Sequence, residues 1–154
     1  MIHEGGYKPN NFTPTVLAMD LSDYVFQITD NAKKFPEYTE TAKRNDDGTY
    51  TKITIMRQDS LINKVREQAY QIYILAFTAN EINVGRQPDR KAERLSKQAK
   101  AIELCNEHLA TIQLCRKKFH LSNKRIKYWG RLTLNVRSAL ERWNESDRDR
   151  YKRV

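Results

Sequence analysis

Apolar residues recur along this chain in four runs with the three- and four-residue spacing of a helix face. The first run is Leu17, Leu21, Tyr24, Ile28, Ala32 and Phe35. Thr13-Pro14 reads as a cap followed by proline at the first helical position, and Pro36 reads as the stop. The second run is Ile62, Val65, Ala69, Ile72, Ala76 and Ala79. It starts near Asp59 or Ser60 and ends around Val84-Gly85. Pro88 opens the third, with Leu95, Ala99, Ile102, Cys105, Leu109 and Ile112 on one face, fading near Phe119. Leu121-Ser122 offers a cap for the fourth, where Ile126, Trp129, Thr133, Val136, Leu140 and Trp143 lie close to a heptad seam.

Residues 37–57 break the helical pattern. Asn45-Asp46-Asp47-Gly48 is a turn signal, and Tyr50, Lys52, Ile53, Thr54 and Ile55 favour an extended chain. A short insertion, a β-hairpin or an ordered loop, is therefore expected between helices one and two. Residues 1–13 read as a flexible lead and 147–154 as a frayed basic tail. The fold class expected is all-α: an up-down four-helix bundle over residues 14–146.

Charge changes the picture. The chain of 154 residues carries a formal net charge of +9. Residues 1–60 hold 7 basic and 9 acidic side chains, whereas residues 61–154 hold 21 and 10. From His108 to Leu140 there is no Asp or Glu, but there are eight cations: Arg116, Lys117, Lys118, Lys124, Arg125, Lys127, Arg131 and Arg137. At about 100° per residue, Lys124, Lys127, Arg131 and Arg142 fall opposite the apolar stripe of helix four. Solvated helix faces usually mix signs to form i,i+4 pairs. A folded cationic face without acids suits a polyanion, because each neutralised phosphate releases counterions. The candidate contacts are Arg116, Lys117, Lys118, Lys124, Arg125, Lys127, Arg131 and Arg142. Tyr128 is the candidate for base stacking. Trp129 lies on the stripe and reads as core. No zinc-finger spacing, helix-turn-helix signal or aromatic RNA-binding signature supports base-specific readout.

Catalytic signatures are poor. His3, His108 and His120 share no metal spacing with one another or with the cysteines. There is no Walker loop, no G-x-S-x-G and no H-E-x-x-H. Glu103 and Glu107 sit i,i+4 without the Glu-x-x-His partners of a di-metal bundle. Cys115 lies near cations, but no histidine is placed to serve as its base. A non-enzyme without metal or cofactor is expected. Cys105 and Cys115, about 15 Å apart on one helix, cannot form a bridge, which agrees with a reducing cytoplasm. No apolar run reaches the roughly 20 residues of a membrane span. Met1 to Asn11 lacks the apolar segment of a signal peptide.

Three segments carry a family resemblance. They are Ile28 to Tyr38 (ITDNAKKFPEY), Tyr73 to Asn80 (YILAFTAN), and Leu121 to Tyr151 with its Leu-Ser cap, Tyr-Trp pair and terminal Trp. Over roughly residues 16–151 the chain resembles the bacterial and phage four-helix-bundle family of the accessory variability determinant (Avd) of diversity-generating retroelements. Proteins encoded by intervening sequences of ribosomal RNA genes are related to that family. The chain departs from the pattern at Glu141-Arg142-Trp143, where the family often has Gly-Gly-Trp, and at Gln113, where it often has arginine. Glu40 to Met56 reads as an insertion.

The resemblance implies a homopentamer of four-helix protomers in the cytoplasm of a bacterium, bacterial or phage-encoded. It implies a basic surface that binds a reverse transcriptase and its template RNA or cDNA in support of mutagenic cDNA synthesis. The chain has no polymerase motif, so its part would be non-catalytic. Leu132 and Leu134 are candidates for oligomer contacts. Two rival readings are a structural bundle binding an acidic protein partner and a DNA-binding accessory protein of a mobile element.

Overall fold

The computed structural model describes residues 9–31, 33–35, 38–56 and 61–152. Among the described residues four α-helices surround one core: α1 (Thr13–Thr29), α2 (Leu61–Glu81), α3 (Lys91–Phe119) and α4 (Asn123–Arg150). A two-stranded antiparallel hairpin, β1 (Tyr38–Arg44) and β2 (Tyr50–Met56), lies between α1 and α2 as the turn signal predicts. α1 packs on α2 and α4, α2 on α3, and α3 on α4. Thr78 meets Lys97, and Gln68 meets Thr111. Arg94 meets Asp147, Asn106 meets Arg137, and His108 meets Trp129. Phe12 meets Trp143, and Tyr24 meets Tyr128. In each of these three helix pairs, residue numbers rise along one helix as they fall along the other.

The second apolar run maps directly onto the core, where Ile62, Val65, Ala69, Ile72, Ala76 and Ala79 are all fully buried. α2 ends at Glu81, before the expected stop, and Ile82 and Val84 enter the core beyond it. The expected starts at Asp59 or Ser60 and the stop at Pro36 lie outside the described residues, as do Ala32 and the first eight residues of the expected lead. α1 begins one residue after its N-cap, Phe12, rather than after Thr13. It also ends well before Phe35, because Asn31 offers the backbone another partner. Its Oδ1 accepts from the amides of Lys33 and Lys34, and its carbonyl accepts from Phe35. This turn lowers Phe35, fully buried, against Phe119 and Trp129.

The hairpin turn is built by side chains. Asp47 Oδ1 accepts from both the amide and the hydroxyl of Thr49, which holds its carboxyl below the usual carboxylate range. Gly48 takes φ +88°, where a side chain would be strained.

α3 corrects the third run. The line it buries is Arg94, Gln98, Ala101, Cys105, His108, Ile112 and Cys115, while Ala99 is exposed. Three polar side chains sit in that line, and each is satisfied by hydrogen bonds. Trp129 Nε1 donates to His108 Nε2 at 3.0 Å, so His108 Nδ1 carries the proton and donates to Gln68 Oε1 at 2.9 Å. Gln68 Nε2 donates in turn to Thr111 Oγ1. Burial pushes the His108 pKa from 6.5 down to about 4.

The unfolded chain therefore takes up a proton at His108 that the folded chain refuses between those two values. Stability contributed by the neutral ring is complete above pH 6.5 and is lost as pH falls towards 4. The full loss is about 3 kcal/mol. Urea unfolding at pH 7 and at pH 4.5 should show most of this loss in the native chain and a shallower dependence in His108→Gln. Equal slopes would sink the assignment.

The second network corrects the expected tail. α4 does not fray at residue 147 but runs to Arg150, with Asp147 fully buried. Arg94 Nε donates to Asp147 Oδ2 at 2.7 Å, and Gln98 Nε2 donates to the same oxygen at 2.6 Å. Arg94 also donates to the Ile82 carbonyl and lies over the rings of Trp143 and Tyr151. Asn144 closes the set by donating to Gln98 Oε1.

Candidate nucleic-acid interface

The α3–α4 connection decides where the cations meet. His120 adopts the left-handed conformation (φ 52°), and its amide, like that of Leu121, returns to the Arg116 carbonyl. Leu121 then drops into the core, and Ser122 caps α4, its hydroxyl accepting from the Arg125 amide as the sequence predicts. The last turn of α3, with Arg116, Lys117 and Lys118, therefore adjoins the first turns of α4, with Lys124, Arg125, Lys127 and Arg131.

The two groups differ electrostatically. Arg116, Lys117 and Lys118 stand at a helix C-terminus, where cations complement the dipole and need no further reason. Lys124 and Arg125 stand at a helix N-terminus with no acid in the first turn, where each cation opposes the dipole. Arg125 occupies the position at which a capping box would place glutamate. The arrangement is mildly unfavourable for the isolated chain and becomes favourable once an anion is bound.

Beside this end of α4, Tyr24 of α1 completes an open groove of about 610 Å³ lined by Ser122, Lys124, Arg125, Lys127, Tyr128 and Arg131. Tyr128 remains 43% exposed. Its ring meets the Tyr24 ring edge to face at 4.9 Å, and the Arg131 guanidinium lies 5.4 Å from its centroid. Burial pushes the Tyr24 hydroxyl pKa up, against the opposing charge of Arg125. Arg125 Nη1 is out of contact with solvent and has no acceptor among the described residues.

None of Arg116, Lys117, Lys118, Lys124, Arg125, Lys127, Arg131 and Arg142 forms an ion pair with a described residue. Arg137, the remaining cation of the acid-free stretch, differs: it pairs with Glu141 at 3.2 Å and donates to Asn106.

Of the nine candidates, five line this groove: Lys124, Arg125, Lys127, Tyr128 and Arg131. Arg116, Lys117 and Lys118 are exposed beside it but do not line it. Arg142 does not join them. It lines a separate groove with Phe12, Trp143 and Arg150, about 16 Å farther along α4 than Arg131. Helical angle placed it on the same outer ribbon, but angle alone ignores the rise along the axis. Tyr24 and Ser122 are lining residues that sequence reasoning missed as site residues. Tyr24 read as core, and only tertiary packing brings it to Tyr128.

Trp129 is fully buried, as expected for core. On the far side of Lys127 and Arg131 lies a more apolar groove with Leu109, Gln113, Ile126 and Leu134. Leu134 is exposed, whereas Leu132 packs against the core.

Cys105 and Cys115 are fully buried, and burial raises each thiol pKa to about 12. Neither is poised as a thiolate nucleophile. Among the described residues no group of His, Cys, Asp and Glu side chains could hold a metal ion, and no helix is long and apolar enough to cross a membrane. No family model, no curated protein and no solved structure matches this chain.

Proposed function

We propose that this chain is a non-catalytic nucleic-acid-binding accessory protein that partners a reverse transcriptase and its template RNA in a diversity-generating retroelement, supporting mutagenic cDNA synthesis. The observation that carries the nucleic-acid part is the set of cations around the start of α4 that form no ion pair with the described residues, in a segment with no acid to neutralise them. Their role is electrostatic: they hold phosphates and fix register without reading sequence. The reverse-transcriptase part rests on the Avd resemblance. So does the assembly we propose, a cytoplasmic homopentamer of up-down four-helix protomers. The opposed residue numbering across three helix pairs supports the up-down course. Exposed Leu134 and its groove supply an apolar flank for subunit contact.

The test is affinity capture from cells that carry the neighbouring genes, with and without nuclease. Recovery of a reverse transcriptase together with RNA, and a solution mass of five chains, is the expected result. A protein partner that survives nuclease while no RNA is recovered would favour recognition of an acidic protein. Tighter binding to duplex DNA than to structured RNA would favour a DNA-binding accessory of a mobile element.

A further inference from the structure

We propose that the groove lined by Tyr24 and Tyr128 receives one nucleotide of an unpaired strand, its base laid against Tyr128 and its phosphate held by Arg125, Lys127 and Arg131. The inference rests on the nucleic-acid reading above and specifies the form of strand that this site takes.

The lining carries two kinds of group that only an unpaired nucleotide uses together. One kind is cationic, with four Lys or Arg side chains and no carboxylate. The other is aromatic, with Tyr24 and Tyr128. A duplex presents phosphates outward but hides its base faces in the stack, so it would engage the cations and leave the ring idle. An acidic peptide would do the same. An unpaired nucleotide offers a phosphate and a flat π-face together, which is the pairing that stacking platforms in basic grooves exploit.

Size agrees. About 610 Å³ falls in the range of small-ligand sites and is ample for one nucleotide. The ring is also held in place beforehand. Tyr128 leans edge to face on Tyr24, which itself meets the buried Trp129 at 6.5 Å. Little side-chain freedom is left to lose on binding. Arg131 lies over the Tyr128 ring, 5.4 Å from its centroid, which places its charge within reach of a phosphate beside the base.

The experiment compares fluorescence anisotropy of labelled oligoadenylate with that of an RNA duplex carrying the same number of phosphates. The proteins are the native chain, Tyr128→Phe, Tyr128→Leu and Tyr128→Ala, each checked for its melting temperature. Tyr128→Leu keeps apolar bulk against Tyr24 but offers no ring, so it guards against a packing defect in the alanine variant. The expected result is about a tenfold loss of oligoadenylate affinity in the leucine and alanine variants. Duplex affinity should change less than about twofold in all of them, and Tyr128→Phe should bind as the native chain does. Equal losses on both probes, or no loss on oligoadenylate, would overturn the unpaired-nucleotide site while leaving the cationic surface standing. Failure of the native, folded chain to bind either probe would overturn the nucleic-acid reading itself.

Discussion

Asp147→Ala should lower the stability of the fold by about 3–5 kcal/mol, because it leaves the Arg94 guanidinium buried without its counter-charge. Arg94 is only 7% exposed and Asp147 fully buried, so water cannot take over the lost contact. Gln98 loses the acceptor it holds at 2.6 Å, and the Asn144 contact behind it loses its anchor. For a chain of this length the melting temperature should fall by roughly 10 °C. A double variant, Arg94→Met with Asp147→Leu, removes both charges and should recover much of that loss. A single alanine variant that melts within a degree or two of the native chain would show that the buried pair does not hold the end of α4.

The second large effect is on binding. Lys124→Glu, Lys127→Glu and Arg131→Glu together should weaken RNA affinity at low salt by about a hundredfold. They should also flatten the slope of log K against log salt by about 2 to 3, as three phosphate contacts are lost. The triple variant should still fold. Glutamate at position 124 suits the positive end of α4, worth about 0.3–1 kcal/mol, so the melting temperature should hold or rise. Improved stability with worse binding is the signature of residues kept for a ligand rather than for the fold. Unchanged affinity in the folded triple variant would remove these side chains from the interface.

What the sequence revealed depended on whether burial and hydrophobicity coincide. They do in α2, where every position of the expected stripe is core. They part in α3, where Arg94, Gln98 and His108 are buried because each finds a partner on another helix. Those partners stand 53, 49 and 40 residues away in the chain, and no local period records them. Asp147 shows the same limit. Among alternating Asp and Arg it looks like a solvated end, and only Arg94 gives it a place inside. The end of α1 is hidden in the sequence because Pro36 is the conspicuous breaker, whereas Asn31 acts sooner through two side-chain hydrogen bonds.

The cations of the candidate site were legible, since helical angle and missing acids are properties of α4 alone. Tyr24 was not. Its contact with Tyr128 depends on how α1 lies across α4, which spacing within either helix does not contain.

The two cysteines carry one more consequence. Both are sealed within the core with thiols that stay protonated at physiological pH. A chain with two unbridged cysteines would ordinarily be vulnerable to peroxide and to cross-linking. Here an oxidant must wait for the helices to part, so modification of these thiols runs no faster than the rate at which the bundle opens. Resistance of these two thiols to oxidation is a kinetic property of the fold.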